Sequence, residues 1–317
     1  DLLASGPLQA TVLLLQLAPP DEQGRYSLGL AHEYLVPLLD TARIVIAEVN
    51  RQAPWTYGER FLAEDELDVI VHTDRPLPEI GQAAPGPVER AIAGHVSGLV
   101  EDGATLQAGL GAIPEAVLDR LTDRRDLGVH SGAIGDAVAR LTAGGGVTNA
   151  RKSRDRGITV AGLALGGRPV HELIHRNPAV QFRSTRYTHD VGVLSSIERF
   201  VALNSAVEVD LTGQVNAELA AGRYVGAVGG AADFLRGAAR SRGGLPIVAL
   251  PSLAGGRSRI VSRLSGPVST SRADAGLIVT EHGVADLRGQ PLAQRIRRMI
   301  DIAAPQFRAA LEQEANP

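Results

Sequence analysis

The sequence predicts an α/β protein with largely parallel sheets, and three observations support this fold class. Short apolar runs recur along the chain and alternate with segments of helical periodicity. Many of these runs are apolar throughout, which is typical of strands that are covered on both faces. The 317 residues, of which 44% are hydrophobic, provide enough apolar surface for two domains or one large one.

The predicted elements alternate in the order that such a fold requires. The predicted strands are Thr11–Leu17, Arg43–Val49, Leu67–His72, Ala104–Ala108, Leu127–His130, Ile158–Leu165, Phe200–Leu211, Pro246–Leu250 and Gly276–Thr280. The predicted helices are Pro87–Val100, Ile113–Leu121, Ile134–Leu141, Ala231–Ala239 and Leu292–Ala304. The segment Thr73–Pro87 contains four prolines and two glycines, a composition typical of a linker. We therefore predict two domains, residues 1–86 and 87–317.

The composition excludes several classes of function. The chain contains no cysteine, which excludes disulfides, thiolate metal sites and a cysteine nucleophile, and a reducing cytoplasm is the expected compartment. The balance of 32 basic against 35 acidic residues, together with few aromatic side chains, argues against nucleic acid as a partner. No apolar run approaches the length of a membrane-spanning helix, so no membrane partner is expected.

One motif matches a zinc-binding pattern. His171-Glu-Leu-Ile-His175 places two histidines at i and i+4 around a glutamate, an arrangement in which one helix face can hold zinc. Pro169 and Pro178 leave this helix barely two turns, and no third ligand is evident. We therefore expect a short surface helix here and no bound metal.

Two glycine-rich turns lead from apolar runs into helices. Gln107 is followed by Gly109 and Gly111, and the segment 226–230 precedes a second predicted helix. Backbone amides at such a turn can bind an anion or an oxyanion, because glycine permits close approach and a helix N-terminus is partly positive. The alternative is a structural turn. The third glycine and the distal acidic residue of a dinucleotide site are missing, which argues against such a site.

Two carboxylates lie close together near position 209. Glu208 and Asp210 alternate with apolar residues, so they share one face of the predicted strand Phe200–Leu211. Such a pair can raise the pKa of one member for acid/base chemistry. Pairing of both carboxylates with arginine is the alternative.

Several segments resemble one known family. They are Ala18–Gly29, Ala42–Pro54, Glu101–Leu118, Ala202–Glu218, Val228–Ala239, Val268–Gly289 and Ile300–Arg308. In this order they are similar to the acetyl-CoA hydrolase/transferase family, especially its 4-hydroxybutyrate CoA-transferase branch. The resemblance implies two related three-layer α/β domains with the active site between them. It also implies a coenzyme A thioester as substrate, a carboxylic acid as second substrate, and a homo-oligomer.

The resemblance also implies a set of site residues. The acyl-CoA would be bound at Gln107, Gly109, Gly111, Val228, Gly229 and Gly230. The second glycine loop departs from the family, with Ala227 and Ala231 where glycine and glutamine are usual. The family carries additional N-terminal strands and helices upstream of the segment matching Ala18–Gly29, so we expect the first domain to be incomplete. Self-association should then cover its exposed strands.

The most consequential departure is at position 132. Family members carry a nucleophilic glutamate in a His-Ser-Glu or Tyr-Thr-Glu context, followed by an aspartate. Here His130, Ser131 and Asp136 match that context, but Gly132 stands where the glutamate should be. Glycine has no side chain, so covalent carboxylate catalysis cannot occur at this position.

Three hypotheses about function remain open. In the first, the enzyme binds an acyl thioester but performs another reaction, with Glu208 or His130 as candidate base and Gly109–Gly111 stabilising the oxyanion. In the second, ordinary CoA transfer continues with another carboxylate, such as Glu208 or Glu115, or with the missing segment supplied by a partner chain. In the third, the chain is a non-catalytic paralogue that binds a ligand or an active subunit.

Overall fold

A computed structural model describes residues 2–80 and 84–315. Its residues cluster into two compact units that are discontinuous in sequence. The first unit contains residues 2–80, 129–140 and 155–188, and the second contains residues 84–128, 141–154 and 189–315. The chain returns to the first unit twice, and the division into 1–86 and 87–317 remains a prediction. Part of the predicted linker, residues 81–83, lies outside the described residues.

The secondary structure alternates strands and helices for most of the chain. The strands are β1 Val12–Leu17, β2 Ile44–Asn50, β3 Tyr57–Gly58, β4 Val69–Thr73, β5 Thr105–Ala108, β6 Gly128–Ile134, β7 Thr159–Ala164, β8 Val180–Phe182, β9 Phe200–Ser205, β10 Glu208–Asp210, β11 Val215–Asn216, β12 Leu219–Ala220, β13 Arg223–Tyr224, β14 Leu245–Ala249, β15 Leu253–Ala254, β16 Arg257–Ser258, β17 Ile260–Val261, β18 Leu277–Thr280 and β19 Gly283–Asp286. The helices are α1 Leu35–Leu39, α2 Pro87–Leu99, α3 Ala112–Asp119, α4 Asp136–Ala143, α5 Arg168–Ile174, α6 Thr185–Thr188, α7 Val191–Ser195, α8 Ala231–Arg240, α9 Leu292–Asp301 and α10 Pro305–Ala315, with a 3₁₀ turn at Glu64–Glu66.

The first unit contains two groups of parallel strands. Strands β1, β2 and β4 form one sheet with β2 in the centre. Strands β6, β7, β8 and β3 pair in that order, and each of these pairs is parallel. One face of the first sheet is buried against Tyr26, Leu28, Leu38 and Leu62.

The second unit is built on strands β19, β18, β14, β9 and β5, in that order. All pairs are parallel except the final hairpin of β18 with β19. Helix α8 packs against β9 and β14, where Phe234 and Leu235 join a core that includes Phe200, Val248 and Ile278. These parallel-rich sheets with covering helices confirm the predicted α/β class.

The structure corrects two predicted elements. The run Phe200–Leu211, predicted as one strand, divides at residues 206–207 into β9 and β10, which belong to different sheets. Strand β6 continues to Ile134, whereas the sequence predicted that the strand ends at His130 and a helix begins at Ile134. Helix α4 begins only at Asp136, after Gly135. A run of strand-forming residues alone does not reveal where a strand leaves its sheet.

No helix in the described part of the chain is long and apolar enough to cross a membrane.

One face of the first sheet is apolar and accessible. Along β1 and β2 the side chains alternate between a buried face and an accessible one. The register places Val12 beside Ile44, Leu14 beside Ile46, and Ile46 beside Val69 on the accessible face. Leu14 is 75% exposed. A parallel sheet is normally covered on both faces, and self-association through this face remains a prediction.

We predict that the protein self-associates through this face. Leu14→Asp should lower the molar mass measured by sedimentation, because association would have to bury an ionised carboxylate. Tyr224→Ser, at a residue that is 74% exposed on β13, is the control and should leave the mass unchanged. A wild-type monomer, or an oligomer insensitive to Leu14→Asp, would contradict the prediction.

Candidate functional site

Two glycines face each other on neighbouring strands at position 132, where the family resemblance predicts a nucleophile. In the parallel pair of β6 and β7, Ser131 pairs with Ala161 and Ala133 pairs with Leu163. Gly132 therefore lies opposite Gly162, and a side chain at either residue would point to the same face of the sheet. A Cβ atom at Gly162 would lie only 2.8 Å from the carbonyl oxygen of Gly132. At Gly132 and Gly162 the two strands consequently carry no side chain on this face.

The side chain of Glu33 lies over this glycine pair. The amide nitrogens of His32 and Glu33 both donate to the carbonyl oxygen of Gly162, at 3.0 and 3.3 Å. A Cβ atom at Gly162 would lie 3.2 Å from Cγ of Glu33 and 3.7 Å from its Oε1. Glu33 therefore occupies the face toward which a side chain at Gly132 would point. Neither motif spacing nor composition indicated Glu33, which is the residue that the sequence analysis missed.

The Glu33 carboxyl group is in an unusual electrostatic setting. It is half-buried, and no hydrogen bond or ion pair to it is found within residues 2–80 and 84–315. Burial raises the pKa of Glu33 above its ordinary value. The Glu33 backbone has φ of 26°, a conformation that costs energy for a residue with a side chain.

Two histidines lie near these strands, and both are buried. His32 stacks on Phe182 with ring centroids 5.3 Å apart, and burial lowers its pKa to about 3. His32 is therefore neutral at physiological pH. The Nε2 atom of His130 lies 3.3 Å from the carbonyl oxygen of Thr188. Because a carbonyl only accepts hydrogen bonds, this contact favours the tautomer of His130 that is protonated at Nε2.

Asp136, which follows strand β6, is held by backbone donors. Its carboxylate accepts hydrogen bonds from the amide nitrogens of Gly167 and Val170, each at 3.1 Å. Gly167 is the N-cap of helix α5 and Val170 lies in its first turn, where a negative charge is favourable. Asp136 therefore anchors α5.

In the second unit, Gln107 and Gly109 lie beside Asn204 at the carboxyl ends of β5 and β9. The amide of Asn204 donates to Oε1 of Gln107 at 2.9 Å, and Nε2 of Gln107 donates back at 3.3 Å. The amide nitrogen of Gly109 donates to the carbonyl of Leu203 at 2.8 Å. A Cβ atom at Gly109 would lie 3.3 Å from Oδ1 of Asn204. This edge of a parallel sheet is where α/β proteins usually bind ligands.

Gly111 and Gly230 each precede a helix. Gly111 has φ of 127° and is the N-cap of α3, and a Cβ atom there would meet open space. Gly230 is the N-cap of α8, and a Cβ atom there would lie 2.3 Å from the ring of His189. Gly229 has φ of 57° and Val228 is exposed. Of these two N-cap glycines, Gly111 therefore has space for a side chain, whereas Gly230 is packed against His189.

Glu208 and Asp210 both lie in β10, but each has its own set of donors. Oε1 of Glu208 accepts from the amide of Asn216 and from the backbone and hydroxyl of Ser265, at 2.6 to 3.0 Å. Asp210 accepts from Thr212 and Gln214 and closes a tight turn. The donors found are neutral groups rather than arginines. The proposed roles of Glu208, His130 and the other site residues remain predictions.

The two histidines of the zinc-like motif have different surroundings. His171 lies in α5, whereas His175 is its C-cap and accepts a hydrogen bond at Nδ1 from the backbone of Trp55. Burial lowers the pKa of His171 despite the nearby charges of Asp136 and Glu79. Throughout the described ranges, no group of three or more potential ligands is placed to hold a metal ion. Absence of zinc remains a prediction.

Comparison with known proteins places this geometry in context. The profile of the acetyl-CoA hydrolase/transferase C-terminal domain matches residues 166–315. The chain is 40% identical to 4-hydroxybutyrate coenzyme A transferase of Clostridium kluyveri over 97% of its own length and 72% of that protein. It is 37% identical to succinyl-CoA:cyclohexane-1-carboxylate CoA transferase of Geobacter metallireducens, over 95% and 70% of the two chains.

Solved structures show the same similarity. RipA from Yersinia pestis matches with a TM-score of 0.95 and 38% identity, over 99% of this chain and 72% of RipA. The 4-hydroxybutyrate CoA-transferase abfT-2 from Porphyromonas gingivalis matches with a TM-score of 0.89 and 35% identity, over 99% and 76% of the two chains.

The raised pKa of Glu33 predicts a specific dependence of stability on pH. Between the ordinary pKa of 4.5 and the raised value, the folded chain binds a proton that the unfolded chain releases. The contribution of Glu33 to the free energy of unfolding is therefore greatest below pH 4.5 and falls as pH rises through this window. Denaturant titration should show Glu33→Gln gaining stability relative to wild type with rising pH. A pH-independent difference would contradict the assignment.

The buried neutral His32 predicts acid sensitivity of the opposite sign. Between pH 6.5 and about 3 the unfolded chain binds a proton that folded His32 does not. The free energy of unfolding should fall on acidification by up to about 1.4 kcal/mol per pH unit from this group. His32→Leu should remove that part of the slope. Parallel pH profiles of the two proteins would show that His32 is not buried and neutral.

Proposed function

The chain belongs to the acetyl-CoA hydrolase/transferase family, and on that premise we propose that it binds an acyl-CoA thioester and cleaves it without a covalent enzyme intermediate at position 132. Gly132 carries this proposal. A carboxylate nucleophile needs a side chain, whereas Gly132 offers only its backbone in the middle of β6. The members named above are CoA transferases, so an acyl-CoA is the donor that the family relation favours.

The thioester carbonyl needs stabilisation of negative charge during attack. We assign this task to the amides of the turn Gly109–Gly111, since that turn is open and leads into the N-terminus of α3. Gln107 and the segment Val228–Gly230 are the further CoA-binding residues of the proposal. We further propose that the protein is a cytoplasmic homo-oligomer and that it holds no metal.

Ordinary CoA transfer with a substitute carboxylate is the competing function. Glu208 and Glu115 are its candidate nucleophiles. Three donors converge on Oε1 of Glu208, and such saturation lowers the nucleophilicity of a carboxylate and holds the side chain in place. This observation argues against covalent transfer through Glu208.

The test is a search for a covalent adduct. Wild-type protein incubated with butyryl-CoA should keep its intact mass, both before and after trapping with borohydride, because no side chain at position 132 can form a glutamyl thioester. Glu208→Gln and Glu115→Gln serve as matched variants, each removing one alternative nucleophile.

Two results would decide against the proposal. An adduct on wild type that disappears in Glu208→Gln or Glu115→Gln would establish covalent CoA transfer through that carboxylate. Failure of wild type to bind butyryl-CoA in calorimetry would remove the acyl-CoA assignment itself.

A further inference from the structure

Resting on the proposed function, we infer that Glu33 is the general base of this enzyme and that the acyl acceptor is a protic nucleophile, an alcohol, an amine or water, rather than a carboxylate. The inference starts from the face of β6 and β7 on which Gly132 and Gly162 lie opposite each other. A glutamate at position 132 would project from that face. Glu33 reaches the same face from the segment before α1.

The backbone of Glu33 is fixed, whereas its carboxylate accepts no hydrogen bond from residues 2–80 or 84–315. Its amide donates to the carbonyl of Gly162, and its carbonyl accepts from the amide of Thr185 at 3.2 Å. Nearby carboxylates are used differently: Glu59 accepts from the backbone of Ser184, and Asp136 accepts from two amides of α5. In the described part of the first unit, Glu33 has no such donor. A strained backbone that presents an unengaged carboxylate is typical of a functional position.

The setting of Glu33 suits proton transfer. Burial raises the pKa of its carboxyl group, which makes the carboxylate a better proton acceptor near neutral pH. Substitution of Gly162 by any larger residue would place a Cβ atom 3.2 Å from Cγ of Glu33. The glycine pair is therefore what allows Glu33 to lie this close to the strands.

The reaction balances with one proton carried by Glu33. The acceptor oxygen or nitrogen forms a bond to the thioester carbonyl carbon while Glu33 takes its proton. The tetrahedral intermediate then collapses, the carbon–sulfur bond breaks, and CoA leaves as a thiolate that recovers the proton from Glu33. The products are free CoA and an ester, an amide or a carboxylic acid.

A carboxylate acceptor does not fit this arrangement. It has no proton to lose at neutral pH, so a general base adds nothing to its attack. Its negative charge would also be repelled by ionised Glu33 on a half-buried face. Glu33 thus also selects the class of acceptor.

The absence of cysteine makes the assay direct, because a thiol reagent detects only released CoA. Butyryl-CoA is supplied with water alone, with 2-aminoethanol, or with acetate. Wild type should release CoA with water or 2-aminoethanol, and acetate should neither accelerate release nor yield acetyl-CoA. Mass spectrometry of the products distinguishes butyrate from the ester or amide.

The variants test Glu33 itself. Glu33→Gln should lower kcat by about 100-fold or more while its dissociation constant for butyryl-CoA stays at the wild-type value. Glu33→Asp keeps the carboxylate but sets it farther from the strands, because aspartate is one methylene shorter. This variant should retain intermediate activity. Glu22→Gln, at an exposed glutamate of the same unit, should equal wild type.

The failure modes are separable. Unchanged kcat in Glu33→Gln, or acetyl-CoA formed from acetate, would overturn the inference while leaving acyl-CoA binding intact. Absence of butyryl-CoA binding to wild type would instead overturn the proposed function, and this inference with it.

Discussion

The register of β6 against β7 is the constraint on which the rest of the site depends. It places Gly132 opposite Gly162 and leaves a stretch of sheet without side chains on one face. A Cβ atom at Gly162 would approach the Gly132 carbonyl to 2.8 Å, closer than Cβ atoms approach neighbouring atoms in folded proteins. The pairing of the strands therefore requires glycine at position 162, and the Glu33 side chain packs against the face that lacks side chains.

Some carboxylates of the protein accept several hydrogen bonds, whereas Glu33 does not, and this contrast supports the proposed function. Glu208, Asp210 and Asp136 accept several hydrogen bonds each, so their charge is compensated locally. Glu33 is half-buried without a comparable set, and its pKa is raised as a result. Groups of the first kind hold segments together. A group of the second kind is costly for folding and is therefore a candidate for a functional role.

Much of the fold could be predicted from the sequence, because apolar runs and helical periodicity are local signals. Strands β1, β2, β5 and β14 lie within a residue or two of their predicted positions. The division of Phe200–Leu211 was not predicted, because an apolar run followed directly by an alternating run is typical of one continuous strand and only the pairing separates the two. Gly132 was found because the residues around it resemble a family motif. Glu33 was missed because its role depends on which face of β7 it covers, which no spacing along the chain encodes.

A structure of the protein with a ketone analogue of butyryl-CoA, in which a methylene separates sulfur from the carbonyl, would test the central claim most directly. The account predicts that the carbonyl carbon lies over the glycine pair, with space for one acceptor atom between it and the Glu33 carboxylate. The account would be contradicted by an acyl group bound against Glu208, or by a Glu33 side chain turned away from the ligand.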